Sequence, residues 1–310
     1  MLGSPANQPA LGRRLPLRLH LPAALFLAFS VAAGAASEAY GSELIDRNAT
    51  EVKLAVNGTG EALLTYTAKG VRRHVLAGAA VNAVAPTTAR RQVEFRLDYS
   101  GGDDAGAFPN RCRRYTGPPL AWLVSACTAP DGSHWAVQAW RRALPNYGLA
   151  PTPEQAVLEL RLSHWTGAPA RLEVKVDWAY GRFHHLYGRL TYAGRPVHGF
   201  RSTPAGVPLD TFGRNLFLDT FNSAYGSGWR RENSFLAQRP SGTFCYGFFE
   251  RAGRPAGMGM RYRATVIGPG VTPDVVWQGA SPGAFDAARD RVANAEQARL
   301  FAGSRLCRPN

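Results

Sequence analysis

The sequence predicts an all-β protein made of two antiparallel β-sandwich-like units and one C-terminal amphipathic helix. Three segments, 157–165, 170–180 and 183–192, alternate apolar and polar side chains. A period of two is typical of strands with one face in a core and the other in water. Helical spacing occurs in one late stretch, after residue 281. With 310 residues and 45% hydrophobic content, the chain can bury a core and is too apolar to be disordered.

Residues 1–36 are expected to be a signal peptide. Arg13, Arg14 and Arg18 precede an apolar run at 21–33, and the small residues at 33–35 form a cleavage site. The run is shorter than the roughly 20 residues that span a bilayer, although a retained anchor is the alternative. We therefore expect a secreted or extracytoplasmic protein with no transmembrane span in the mature chain. Removing the three arginines lowers the net charge from +14 to +11.

Residues 37–180 are predicted to form an N-terminal β domain with two clear hairpins. Lys69-Gly70 forms the turn of the first hairpin, and the sequence PDGS at 130–133 forms the turn of the second. The predicted strands are 52–56, 62–68, 71–76, 92–99, 121–128, 135–140, 157–165 and 170–180. The last two, followed by 183–192, are expected to form a meander.

The four cysteines, Cys112, Cys127, Cys245 and Cys307, all follow the signal peptide. An even count in an exported chain predicts two disulfides, of which three pairings are possible. We favour Cys112–Cys127 and Cys245–Cys307, with buried free thiols as the alternative. Zinc sites use closely spaced cysteine pairs that this sequence lacks, so no metal or other cofactor is predicted.

Residues 181–281 are predicted to form a second sandwich, and 282–310 a helix with a disulfide-tied tail. Expected strands are 183–192, 216–220, 243–249, 258–267 and 275–278, with Gly-rich turns at 226–228 and 268–270. Ser281 and Pro282 suit the first positions of a helix and Gly303 its end. Its expected apolar face consists of Phe285, Ala288, Val292, Ala295 and Leu300. We expect this face to cover an open sheet; a membrane-surface helix is the alternative.

Residues 186–220 resemble the transthyretin-like β-sandwich module of the carboxypeptidase-regulatory type. The likeness rests on Gly188, Gly194, Pro196-Val197, Gly199, Asp210 and Gly213, ahead of Leu216 and Leu218. It implies a small extracellular seven-stranded sandwich that acts as an accessory or binding module, and it carries no catalytic residues across. The segment around Cys245 and the C-terminal helix depart from that pattern. More broadly, the chain resembles secreted bacterial proteins, which implies no particular chemistry.

The catalytic signatures S-x-x-K and H-E-x-x-H are missing from the sequence. A signature-free hydrolase therefore remains as one functional hypothesis. If the three long alternating strands form a meander, His164 could approach His184 or His185, with Asp177 completing an acid–base or metal cluster. The alternative is that these are ordinary polar residues on a sheet that has one face exposed to solvent.

Basic clusters beside aromatic residues point instead to binding. A flat ring next to a fixed positive charge suits an anionic or saccharide polymer. The alternative is that the arginine excess reflects base composition and that the tryptophans are core residues. The candidate residues are Arg111, Arg113, Arg114, Tyr115, Trp140, Arg141, Arg142, Trp229, Arg230 and Arg231.

These clusters predict a non-catalytic protein that binds an anionic cell-wall or extracellular polysaccharide. The sequence does not favour nucleic acid as the partner. A structural secreted protein without a ligand is the third hypothesis.

Overall fold

A computed structural model gives the structure of most of the chain. It describes residues 42–102, 107–141, 152–179, 183–197, 201–202, 208–232, 237–238, 241–248, 258–267 and 271–301. The expected signal peptide, Arg142, Gly303 and Cys307 lie outside those ranges. Among the described residues, no helix has both the length and the apolar character needed to cross a bilayer.

The first half of the described chain forms two antiparallel sheets. Its strands are β1 (Glu43–Arg47), β2 (Thr50–Val56), β3 (Ala62–Ala68), β4 (Val71–Gly78), β5 (Arg96–Asp98), β6 (Arg113–Arg114), β7 (Leu123–Thr128), β8 (His134–Arg141) and β9 (Leu158–Trp165). A 3-10 turn, Pro153–Ala156, precedes β9. Sheet A has the order β1-β9-β8-β7-β6, and sheet B the order β2-β3-β4-β5.

The second half forms two more antiparallel sheets and the single helix. Its elements are β10 (Arg171–Ala179), β11 (Phe183–Tyr192), β12 (Arg195–Pro196), β13 (Arg201–Ser202), β14 (Pro208–Leu209), β15 (Asn215–Ser223), β16 (Gly226–Arg231), β17 (Ala237–Gln238), β18 (Thr243–Phe248), β19 (Arg261–Ile267), β20 (Val275–Ala280) and α1 (Ala287–Leu300). Sheet C has the order β10-β11-β18-β17, with β12 beside β11. Sheet D has the order β13-β14-β15-β19-β20, with β16 beside β15.

Each pair of sheets encloses one hydrophobic core. Leu64 from sheet B packs with Trp135 and Leu160 from sheet A. Leu186 from sheet C packs with Leu218 from sheet D in the second core. The predicted fold class, all-β with two sandwich-like units and one C-terminal helix, is confirmed.

Two tight hairpins follow from positive backbone φ angles at adjacent turn residues. Lys69 and Gly70 have φ values of 52° and 73°, and Ala193 and Gly194 have 49° and 70°. Two consecutive left-handed residues match the right-handed twist of the flanking strands. These turns fix the registers of β3 with β4 and of β11 with β12.

The predicted bridge between Cys112 and Cys127 is confirmed, with a Cα–Cα distance of 5.5 Å. It ties the segment before β6 to β7. The strand pairing adds a second link, since Arg114 of β6 lies opposite Cys127 of β7. Cys245 is buried beside Tyr187 and Phe301. Since Cys307 lies outside the described residues, the second bridge stays a prediction.

The expected meander of three strands is wrong at its first member. β9 pairs with β8 and β1 in sheet A, whereas β10 pairs with β11 in sheet C. The change of sheet therefore falls between Trp165 and Arg171, ahead of the boundary expected at residue 180. The alternating pattern suggested that one face of β9 is exposed to solvent, but both faces are buried. Leu160 faces a core, and Glu159 and its neighbours on the other face are covered too.

Two shorter predictions also need correction. The expected strand 92–99 is reduced to β5, because an irregular segment, 79–95, joins it to β4. The Gly-rich stretch 226–228, expected as a turn, begins strand β16. Its Gly228 has a φ of 75°, a left-handed angle that glycine adopts without a Cβ clash.

The helix begins later and buries a different face than expected. Asp286, not Ser281, is the N-cap, and its side chain accepts a hydrogen bond from the Arg289 backbone. The buried helix residues are Asp290, Ala293 and Gln297, while Val292 is 70% exposed. The helix does cover sheet C, as expected, but mainly through polar contacts. Lys175 in β10 lies 2.7 Å from Glu296, and Arg289 lies 3.1 Å from Asp177.

The outer face of sheet A is buried against residues of the second sandwich. Trp140 packs with Phe217 and Ile267 of sheet D, and Trp122 joins them. Gln138 exchanges two hydrogen bonds with the backbone of Asp274, which precedes β20. Beyond this contact, Arg261 is exposed and Phe221 and Trp229 are half-buried on the outer face of sheet D.

Candidate binding surface on sheet D

The candidate surface lies on the outer face of sheet D, where β16, β15 and β19 run side by side. Alternation turns Leu218 of β15 into the core and Phe221, three positions further on, to the outside. The strand registers set Trp229 opposite Phe221, and Phe221 opposite Arg261. One row of the sheet thus holds two rings and a guanidinium group.

Arginines and rings alternate across this face. The Arg261 guanidinium carbon lies 4.5 Å from the Phe221 ring centroid and 5.5 Å from that of Trp229. The Arg263 guanidinium lies 4.3 Å from Trp229 and 5.9 Å from Trp122. These are cation–π distances. We call these five side chains the strip: Trp122, Phe221, Trp229, Arg261 and Arg263.

A buried carboxylate holds two of the neighbouring arginines in place. Asp219 Oδ1 accepts from Arg231 Nε at 2.6 Å, and Oδ2 accepts from Arg263 Nε at 2.9 Å. Burial alone would raise the pKa of Asp219, but the two arginines bring it below the usual aspartate value. Asp219 therefore stays ionised and orients Arg263 toward the strip.

The strip keeps an excess of positive charge that solvent can reach. Phe221 and Trp229 are half-buried and Arg261 is exposed. Arg261 has no acidic partner within the described part of the chain, and the single carboxylate of Asp219 faces both other arginines. The described side chains of this face therefore carry a net positive charge, next to flat apolar rings.

Only part of the predicted binding set belongs to this surface. Trp229 lies in the strip, and Arg230 next to it is half-buried. Trp140 is buried, with its Nε1 donating to Asp274 at 3.0 Å. Arg231 is buried in its ion pair with Asp219. The expectation that Trp140 and Arg231 offer exposed surface is therefore wrong, because the contact between the sandwiches and the Asp219 carboxylate enclose them.

The remaining predicted arginines lie elsewhere on sheet A. Arg113 and Arg114 are exposed and pair with Thr128 and Cys127, at one end of β7. Trp122 precedes the other end of β7, five residues from Cys127, which is roughly 16 Å along an extended strand. Exposed Arg111 lies near Arg113 in sequence, and Tyr115 packs edge-on against Trp165. The exposed Arg141 ends β8, and Arg142 lies outside the described residues.

The expected histidine cluster is not assembled. His164 is in sheet A, where its ring bonds to the Ala80 carbonyl oxygen and to Ser133 Oγ. His184 and His185 are in sheet C and point to opposite faces, toward Tyr262 and Gln297 respectively. Asp177 is paired with Arg289. Among the described residues, no group of three potential ligands could hold a metal ion.

The inner face of sheet D carries a second titratable group close to the strip. Glu232 is buried, and its Oε1 accepts from Thr220 Oγ1 at 2.6 Å. Burial, reinforced by the charge of Asp219, raises the pKa of Glu232 to about 7. Burial also lowers the pKa of His184, which bonds to Tyr262 in the same core region.

Sequence reasoning missed most of the strip. Arg261 and Arg263 are two positions apart in a predicted strand, so period-two alternation could have placed them on one face. Their pairing with Phe221 and Trp229 depends on which strands become neighbours, and the sequence alone does not determine that. Comparisons of the chain with protein-family models, curated proteins and solved structures find no match.

Proposed function

We propose that the protein binds an anionic polysaccharide, without catalysis, through the strip on sheet D. The observation that carries the proposal is the alternation of Arg261 and Arg263 with the rings of Phe221 and Trp229. A half-buried indole offers an apolar platform for the C–H face of a sugar ring. An adjacent guanidinium offers paired donors to a carboxylate or sulfate.

Preorganisation supports a binding role for this surface. The Asp219 carboxylate fixes Arg263 through a 2.9 Å hydrogen bond, and Arg263 in turn packs on Trp229. Side chains that are already ordered lose less conformational entropy when a ligand binds. Arg261 stays exposed and supplies charge without a competing carboxylate in the described residues.

A polymer fits the arrangement better than a single sugar. The exposed Arg113, which pairs with Thr128 at the far end of β7, lies roughly 20 Å from Trp122 along that strand. An extended polyanion can contact both regions at once, and the second contact then adds avidity. A monosaccharide cannot reach from one to the other.

Heparin and uncharged dextran are the probes that test the proposal, with binding followed by tryptophan fluorescence and calorimetry. We expect heparin to bind and dextran to bind weakly or not at all. Raising the salt concentration from about 50 to 500 mM should weaken heparin binding at least tenfold because exposed charges are screened. Affinity that is independent of salt would contradict the charge argument, and no binding to either polymer would favour a structural protein without ligand.

Trp229→Ala tests the aromatic platform. Losing one stacking ring should weaken heparin binding about fivefold to tenfold, or about 1 kcal/mol. Trp178→Ala is a matched control, since Trp178 lies on sheet C beside Phe285 and outside the strip. Equal losses in the two variants would assign the effect to general destabilisation.

We also propose that the chain is exported, since the pattern at residues 13–35 is that of a secretory signal. N-terminal sequencing of the extracytoplasmic protein should find a start near Ala36 or Ser37. A full-length N-terminus retained in the membrane fraction would support an anchor instead.

A further inference from the structure

An incompletely paired arginine is buried at one end of the second core. Arg214 directly precedes β15 and is 1% exposed. Its Nε donates to Asp210 Oδ2 at 2.9 Å. Its Nη1 and Nη2 atoms are buried and have no hydrogen-bond partner among the described residues. Guanidinium groups frequently pair with carboxylate or phosphate groups through two parallel N–H···O hydrogen bonds.

The neighbouring carboxylate is held where it cannot also pair with those nitrogens. Asp210 Oδ1 accepts from the backbone N–H groups of Phe212 and Arg214, each at 2.8 Å. Its Oδ2 is the acceptor for Arg214 Nε. Asp210 thus binds the Nε side of the guanidinium, and Nη1 and Nη2 at its outer end have no acceptor in the described part of the chain.

Two rings hold the guanidinium group in position. Its carbon lies 5.1 Å from the Tyr192 ring centroid and 5.0 Å from that of Phe212. The rings themselves pack edge to face at 5.3 Å. An aromatic face attracts the cation but supplies no lone pair to an in-plane N–H group. The rings therefore orient the fork without satisfying it.

The irregular segment 79–95 of the first sandwich covers this end of the second core. Ala83 is buried in the second core, and Gln92 Nε2 donates to the Phe212 carbonyl oxygen at 2.9 Å. The same Gln92 also bonds to Val84, so the segment is tied both to itself and to the Asp210–Arg214 turn. Ligand sites occur preferentially at such junctions between structural units.

We propose that Arg214 is the anchor of a second site, which binds a small oxyanion end-on through Nη1 and Nη2 beneath segment 79–95. The shared chemistry is a group with two oxygen acceptors, either a carboxylate or a phosphate. The site is separate from the strip and does not depend on polysaccharide binding.

Thermal unfolding of the full chain tests the site, with phosphate, acetate or chloride as the probe at constant ionic strength. Phosphate or acetate should raise the midpoint by a few degrees in a saturable way, whereas chloride should not, because only the oxyanions bind the folded state at this fork. A larger effect of acetate would assign the site to carboxylates, and a larger effect of phosphate to phosphoryl groups. No saturable shift with either ion would overturn the proposal.

Arg214→Lys keeps the charge and removes the fork, so binding should weaken about tenfold or more. Arg189→Gln replaces an exposed arginine of β11. It is the matched control and should respond to the ions as the unaltered chain does. An equal response of Arg214→Lys and the unaltered chain would show that the ions bind elsewhere.

If Arg214→Lys does not fold, hydrogen exchange on the unaltered chain locates the ion. Phosphate or acetate should slow exchange in the peptides covering 83–92 and 208–216, and leave 62–78 unchanged. Protection spread over all three peptides, or confined to 62–78, would contradict the proposal.

Discussion

Two arginine–tryptophan contacts in this protein have the same chemistry and opposite environments. Arg161 lies 5.2 Å from the Trp140 ring in the contact between the sandwiches, and both side chains are buried. Arg263 lies 4.3 Å from the half-buried Trp229 in the strip. In the first contact, the surrounding protein supplies the polar partners; in the second, part of the surface remains open to a ligand.

The partners of the buried contact explain its structural role. Arg161 donates to Glu159 Oε2 at 2.5 Å and to the Ser42 carbonyl oxygen at 2.8 Å. Asp274 accepts from Ser42 Oγ and Trp140 Nε1. Burial raises the pKa of Asp274, although Arg161 opposes the shift. Adjacency of Trp and Arg in the sequence therefore does not identify a binding surface, because Trp140 contacts Arg161 and not its neighbour Arg141.

Arg161→Met should have the largest effect on stability. The substitution removes the shorter of the two ion pairs of the buried Glu159 carboxylate and leaves the longer one, to Arg47 at 3.7 Å. Removing one member of a buried ion pair typically costs about 3–5 kcal/mol. Urea unfolding at pH 7 measures the loss, and the exposed Arg113→Met is the control, expected to stay within about 0.5 kcal/mol. A loss below about 1 kcal/mol for Arg161→Met would mean that the contact between the sandwiches is not held by this network.

Glu232 adds a pH dependence to the inner face of sheet D, beneath the strip. Its pKa is about 7 in the folded protein against 4.5 for the free side chain. Folding therefore takes up a proton at Glu232 between those values. The contribution of Glu232 to stability is greatest below about pH 4.5 and is lost as the pH rises toward 7, by about 3 kcal/mol at most.

Glu232→Gln should remove this decline, since the amide does not titrate. The free energy of unfolding of the variant minus that of the unaltered chain should increase between pH 4.5 and 7 and then level off. A constant difference over that range would show that Glu232 is ionised throughout.

Trp140→Phe should have a moderate effect on stability. The variant keeps an aromatic ring, although a smaller one, and loses the Nε1 donor to Asp274, which retains its hydrogen bond from Ser42 Oγ at 2.7 Å. We expect a loss of about 1–2 kcal/mol in chemical unfolding. Trp229→Phe in the strip should change stability by less than about 0.5 kcal/mol, because that ring is partly in solvent. Equal losses would remove the distinction between the two contacts.

Strand positions were largely predictable, whereas the neighbours of each strand were not. Period-two alternation placed β11 at its observed bounds, Phe183–Tyr192. For β9 the alternation suggested a solvent-exposed face, but Glu159 and Arg161 on that face pair with each other in a buried layer. A pattern of single residues cannot separate charges paired inside the protein from charges in water, because both alternate in the same way.

The sequence did not predict the buried face of the helix or the members of the strip, and the physical reasons are related. The buried face of α1 is polar, since Gln297 meets His185 and Glu296 meets Lys175. An apolar stripe was therefore the wrong signal for that contact. In the strip, the long-range register of β15 with β19 brings Phe221 beside Arg261, and no local pattern encodes that pairing.

The most direct test of the binding surface is the heparin affinity of Arg261→Gln and Arg72→Gln, measured by calorimetry at about 50 mM salt. Both arginines are exposed, but Arg261 lies in the strip and Arg72 on sheet B. Each substitution removes one positive charge, so a uniform electrostatic effect would be the same for both. We predict that Arg261→Gln weakens binding about fivefold or more and Arg72→Gln by less than about twofold. Equal losses would contradict the account, because binding would then follow net charge and not the strip.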